Sequence, residues 1–102
     1  MDRFVALADP TRRQIVELLG SSEQAAGAIV ANFSMSAPAV SQHLKTLREA
    51  GLVRVRVDGQ RRLYSLDPDG FAEMEAWFEK MRRFWSGRLD ALERELEKGE
   101  KK

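Results

Sequence analysis

The 102-residue chain is predicted to be mainly α-helical with one small β-hairpin, an α+β class in which the longest helix comes last. Three observations predict this. Apolar residues between positions 36 and 50 recur at helical spacing and leave a small, polar opposite face. Directly after them, residues 53–66 alternate apolar with basic or polar residues around Asp58-Gly59, a strong hairpin-turn signal. From Asp67 onward, large apolar residues keep heptad-like intervals for about 30 residues, ~45 Å of helix at 1.5 Å per residue.

The elements follow in order. Residues 3–8 predict a short apolar helix carrying Phe4, Val5 and Leu7. Asp9 then caps a second helix with Pro10 in its first position, where a missing N–H costs nothing. That helix bears Ile15, Val16, Leu18 and Leu19 on one side, and Gly20 is expected to end it in a left-handed conformation. Ser22 is expected to open a third helix, 23–31, with Ala25, Ala28 and Ile29 inward and Phe33 beyond its end. Ser36 caps the fourth, whose buried stripe is Ala37, Val40, Leu44, Leu47 and Ala50, with Gly51 terminating it. The opposite face is Pro38, Ala39, Ser41, Gln42, Lys45 and Thr46. Val53, Val55 and Val57 make a half-buried strand between Arg54 and Arg56, and Leu63, Tyr64 and Leu66 return on a second. Asp67-Pro68 repeats the capping device and starts a helix over 68–98. Its stripe is Phe71, Met74, Phe78, Met81, Trp85, Leu89, Leu92 and Leu96, widened by Trp77 and Phe84.

Composition narrows the function classes. Hydrophobic content of 43% with 32% charged residues is that of a folded, soluble domain. No apolar run approaches the roughly 20 residues of a membrane span, and the first residues lack the order of a signal peptide, so a cytoplasmic location is expected. With no cysteine, disulfides, thiolate catalysis and thiolate metal ligation are excluded. The net charge of +1 hides an asymmetry: residues 1–66 hold nine Lys/Arg against six Asp/Glu, and residues 67–102 hold eight against ten. Six basic and only two acidic residues fall within 45–62, and local field rather than total charge sets phosphate affinity. A solvated charged face is the bland alternative for that cluster.

Four segments, in this order and at these distances, resemble the ArsR/SmtB family of winged helix-turn-helix repressors: Asp9-Pro10-Thr11-Arg12-Arg13, the run Ser36 to Leu44, Leu47 to Val53, and Gly59 to Leu66. The pattern Trp77-Phe78, Arg82-Arg83-Phe84-Trp85, Leu89-Asp90 and Leu92 is similar to a metal-independent branch of that family, whose members are often encoded beside START-like (SRPBCC) proteins. The resemblance implies one winged helix-turn-helix domain over 1–98, with a recognition helix at 36–50, a wing at 53–66, a dimerisation helix at 68–98 and a frayed tail at 99–102. The family's thiolate motif would fall on Ala25-Ala26-Gly27, which cannot ligate a metal. Its long-helix site needs histidine, and 68–102 contains none, while carboxylates alone make a poor zinc site. No cofactor or metal is therefore expected.

The recognition-helix geometry puts Ala37, Pro38, Ser41 and Gln42 toward the bases, positions that also match the family's base-contacting ones. Gln42 is the best reader, since its amide can bond adenine bidentately. Ser36, Lys45 and Thr46 lie where phosphates would pass, and Arg61, Arg62 and Arg56 belong to the wing, which meets the backbone or a minor groove. Arg12 and Arg13 are candidates for intramolecular salt bridges. His43, the lone histidine, reads as a structural hydrogen-bonding residue or a phosphate contact. Nothing pairs a nucleophile with a base, so no catalytic residue and no enzyme are expected. The homodimer interface is expected to use Phe4, Phe78, Met81, Trp85, Leu89 and Leu92. The expected function is a homodimeric repressor binding double-stranded DNA at an inverted-repeat operator, its own promoter being one candidate. Two alternatives stay open: a regulator holding a small apolar effector near Trp77, Phe78, Phe84 and Trp85, and a winged-helix module acting only through protein contacts.

Overall fold

The structure, a computed structural model, describes residues 2–100. Its elements are α1 (Arg3–Ala6), α2 (Pro10–Leu19), β1 (Gln24–Ala25), α3 (Ala26–Ala31), α4 (Ala37–Glu49), β2 (Val53–Asp58), β3 (Arg61–Leu66) and α5 (Pro68–Glu100). The helices are mainly capped as their sequence requires. Asp2 accepts the backbone N–H groups of Phe4 and Val5 at 2.6 and 3.3 Å, and Asp9 accepts that of Arg12 at 3.1 Å. Hydrogen bonding to that amide is the main reason the Asp9 carboxyl titrates below its usual value. Ser36 accepts from the Ala39 amide at 3.3 Å, and Asp67 from that of Asp69 at 3.0 Å.

Two helix ends differ from each other in a way the residues explain. At the end of α4, Gly51 takes φ +75°, with Gly51 N donating to Arg48 O and Leu52 N to Leu47 O, both at 3.0 Å. This pair of bonds closes the helix and returns Leu52 to the core. Gly20, expected to do the same for α2, instead keeps φ −64°. Its amide is shared between the Val16 and Glu17 carbonyls, so the turn tightens without any left-handed residue.

The region expected to be one helix over 23–31 is divided. Gln24 and Ala25 are a strand, and α3 begins only at Ala26 with no side-chain cap. Ser22 is not a helix cap: its hydroxyl oxygen accepts from the Gln24 side chain at 2.9 Å. The tertiary reason is an open sheet edge. The sheet order is β1-β3-β2, all antiparallel, with Gln24 opposite Tyr64 and Ala25 opposite Leu63, so β1 supplies partners to the edge of β3. Ile29 is buried as expected, whereas Ala28 is exposed. The hairpin pairs Val53 with Leu66 through Asp58 with Arg61, and its two-residue loop is Gly59-Gln60. Gly59 alone has positive φ, +63°, which suits a hairpin turn with glycine at its first central position.

Two compact units divide the chain, one ending at Phe71 and one beginning at Ala72. The core of the first is Ile15, Leu19, Ile29, Val40, Leu44, Leu47, Leu52, Val53, Leu63 and Tyr64. Arg3 donates through Nε to the Ala50 carbonyl at 3.0 Å, fastening α1 to the end of α4. The first turn of α5 approaches the same corner: a Cβ added to Gly70 would fall 1.9 Å from the Gly51 carbonyl oxygen. Only a residue without a side chain fits there. α5 runs on through Glu100, so positions 99 and 100 of the expected frayed tail are helical, and residues 101–102 lie outside the described residues. Of its apolar stripe, Met74 is buried and Phe71 and Met81 are half-buried. Trp85, Leu89, Leu92 and Leu96 are 56–61% exposed.

Candidate nucleic-acid interface

The exposed face of α4 carries Ala37, Pro38, Ser41, Gln42 and Lys45, with the capping Ser36 at its start, all outside the core. The geometry that produces this is the buried arc of Val40, Leu44, Leu47 and Ala50, which turns the remaining positions outward. Two expectations are corrected. Ala37 is exposed in the first turn and takes no part in the buried stripe, which begins at Val40. Thr46 is buried, with 9% exposure, so its side chain is not offered to a phosphate. It lies one turn before Ala50, on the edge of an apolar arc broader than its strongest residues suggest.

Behind that face, Arg12 spans two elements. Its Nε donates to the Ala6 carbonyl at 2.6 Å, and its Nη1 lies 3.3 Å from His43 Nδ1. With Arg12 as donor, Nδ1 supplies a lone pair, so a neutral ring carries its proton on Nε2. His43, half-buried on α4, is thus tied to the N-terminal helix. Arg13 donates to the Leu7 carbonyl at 3.3 Å. The two arginines therefore act within the molecule, though on backbone carbonyls rather than the carboxylates of the expected salt bridges.

The hairpin presents Arg61 and Arg62 in exposed positions beside the turn. Consecutive strand residues point to opposite faces, so the two guanidinium groups leave the sheet in different directions. Arg54 donates to the Ser65 hydroxyl at 3.5 Å across the β2–β3 pair. Arg56 is differently placed: its Nε and Nη2 donate to the two carboxylate oxygens of Glu23 at 2.9 and 2.7 Å. That bond holds the Glu23 carboxyl below its usual range and raises the Arg56 guanidinium further. Glu23 was not among the expected site residues. It becomes Arg56's partner only because β1 joins the sheet, and no local pattern announces so short a strand.

The expected self-association residues divide between the units. Phe4 is 40% exposed in the first. In the second, Phe78, Trp85, Leu89 and Leu92 are exposed and Met81 half-buried, and all of these but Leu92 line a groove that also includes Trp77. Trp77 and Phe78 meet edge-to-face with centroids 5.3 Å apart, and the Arg88 guanidinium sits 4.3 Å over the Phe84 ring. Glu79 pairs with Arg82 and, at 3.9 Å, with Arg83. Ala25, Ala26 and Gly27 offer no ligating side chain. Among the described residues no group of three or more His, Cys, Asp or Glu is placed to hold a metal, and no helix is long and apolar enough to cross a membrane.

Comparison with known proteins places these features in a family. Residues 9–55 match the family model described as bacterial regulatory protein, arsR family. A helix-turn-helix-type transcriptional regulator of Mycobacterium tuberculosis is 48% identical over 84 residues, 82% of this chain and 76% of that protein. The transcriptional repressor SdpR of Bacillus subtilis is 36% identical over 72% of this chain and 82% of its own length. Among solved structures, one described as a possible transcriptional regulator for arsenical resistance superposes with a TM-score of 0.73 at 46% identity, covering 80% of this chain and 85% of that one. An ArsR-like regulator from Rhodococcus superposes with a TM-score of 0.74 at 29% identity, covering 87% and 84%.

Proposed function

Because this chain belongs to the arsR family of bacterial regulatory proteins, and is a transcriptional regulator, we propose that it works as a metal-independent homodimeric repressor on an inverted-repeat operator. The observation that carries the DNA-reading part is the exposed first half of α4, with Ser41 and Gln42 at its centre, followed by a hairpin bearing Arg61 and Arg62. A helix with short polar side chains enters a major groove, and basic residues on a following loop meet phosphates. Ala37 and Pro38 offer apolar contact to a thymine methyl, Gln42 pairs with adenine, and Ser36 and Lys45 meet the backbone.

The second copy is the proposed occupant of the α5 face. Five large side chains more than half exposed along one helix exceed what a monomer of this size usually leaves in water. Metal-independence rests on the donors: alanines and glycine at 25–27, and no histidine in α5. The chain's own promoter is a natural candidate operator, and the cytoplasm its expected place of work.

The test is selection of bound duplexes from a random pool, then a fluorescence-anisotropy salt series on the selected and a scrambled duplex. Gln42→Ala should lose discrimination at one or two base pairs per half-site, by roughly 1–3 kcal/mol, with non-specific binding kept. Arg62→Ala should weaken binding to both duplexes and lower the slope of log affinity against log salt by about 2 units per dimer. Equal weakening of both duplexes by Gln42→Ala would remove α4 from the reading role. A wild-type protein that binds neither duplex would leave only the protein-contact reading. The apolar groove on α5 favours one second reading, a small apolar effector held there, and its mark would be release of DNA on adding that effector.

A further inference from the structure

The Arg56–Glu23 pair sits among the wing arginines, and it joins residues 33 positions apart. Glu23 precedes β1 on one edge of the sheet and Arg56 lies on β2 at the other, so the bond reaches across β3. Its geometry is a two-pronged fork onto both carboxylate oxygens. A guanidinium grips phosphate with that same fork, so Arg56 already holds an anion of the kind DNA would bring. Both side chains reach solvent, Arg56 with 61% and Glu23 with 32% exposure, which leaves the pair open to exchange. The positive fields of Arg54 and Arg61 also act on Glu23. One carboxylate thus stands within the field of three wing arginines.

We infer that Glu23 is an internal competitor of DNA phosphate, withholding Arg56 from the backbone and lowering both the affinity and the salt dependence of binding. This rests on the DNA-binding reading above. The physical consequence is specific. A free arginine that meets a phosphate displaces a condensed counterion from DNA. While Arg56 stays on Glu23 it meets no phosphate and displaces no counterion. Arg56 therefore contributes little to the slope while Glu23 is present. Removing the Glu23 charge restores one net counterion per subunit.

The experiment is an anisotropy salt series on a scrambled duplex with the full chain as wild type, Glu23→Gln, Arg56→Gln and the double variant. Melting curves accompany each protein. Glu23→Gln should bind more tightly than wild type, with a slope steeper by about 2 units per dimer, an advantage that shrinks about tenfold between about 50 and 200 mM salt. In the Arg56→Gln background the same change should leave the slope where it was. Glu23→Asp, which keeps the charge but shortens the reach, should fall between wild type and Glu23→Gln, and it carries the test if Glu23→Gln does not fold. An unchanged slope in a wild-type protein that binds DNA overturns the inference. So does equal steepening in both backgrounds, which would be a general charge effect, and so does weaker binding by a normally melting Glu23→Gln, which would make the pair a brace for the wing. Failure of the wild type to bind any duplex overturns the DNA-binding reading itself.

Discussion

The unit ending at Phe71 and the helical segment beginning at Ala72 handle apolar surface in opposite ways. In the first, Ile15, Ile29, Val40, Leu47 and Leu52 are each fully removed from water, and polar side chains other than Thr46 are left to the surface or its margin. In the second, the largest apolar groups stand in solvent, and neighbouring ring and cation contacts shield them only in part. A short chain gains most of its stability from burial, so the first unit is equipped to hold its shape unaided, whereas the exposed helix gains from a surface it does not itself supply. Under the proposed function, DNA reading would fall to the first stretch of chain and most of the self-association to the second.

The sharpest way to test that division is to damage each side and compare. Leu47→Ala empties part of the first unit's core and should cost about 2–5 kcal/mol of unfolding free energy, measured by denaturant titration. A loss under 1 kcal/mol would mean that α4 is held by something other than its stripe. Leu89→Glu should instead leave the first unit folded and weaken dimerisation at least 100-fold, about 2.7 kcal/mol, because it places a charge in an apolar contact. Sedimentation equilibrium reads this directly, and unchanged dimers would remove α5 from the interface.

A smaller effect is expected at the α2 cap. Asp9→Ala should cost about 1 kcal/mol near neutral pH. The Asp9 carboxyl is held below its usual value of 3.8, so the cap's contribution is present above that pH and fades as the pH falls through the lower folded value. Wild type and variant should therefore converge in acid, and a gap that persists there would show that the alanine harms the helix some other way. The smallest expected effect is none: zinc, cadmium, arsenite or chelator at micromolar levels should leave operator affinity unchanged in a titration. Release of DNA by any of them would reassign the sensing chemistry.

Much of this division was readable from residue order. The 3.6-residue rhythm of Val40, Leu44 and Leu47, the alternation of Val53 and Val55, and the heptad-like run to Leu96 each repeat often enough to override local accidents. What stayed hidden depends on chain segments far apart in sequence. Two residues cannot show a period, so Gln24 and Ala25 read as helix until β3 is seen to need an edge partner. The fork between Arg56 and Glu23 follows from that pairing and was invisible with it. Thr46 misled for a different reason, since a hydroxyl on the rim of an apolar arc is drawn inward by the neighbours on either side of it. Gly20 shows the limit of composition, because a glycine permits a left-handed cap without demanding one.

Mutational tolerance should be uneven among the helical glycines, and the crowding at the start of α5 decides where. A side chain at Gly87 or Gly99 would meet no atom within 4 Å, whereas at Gly70 it would enter the Gly51 carbonyl. In a library varied at all three codons and sorted for folded protein, alanine should be enriched at 87 and 99, since it favours helix by up to ~1 kcal/mol over glycine. Position 70 should return glycine alone. Drift can rewrite the other two glycines, but at this one codon it meets a wall set by the backbone of another element.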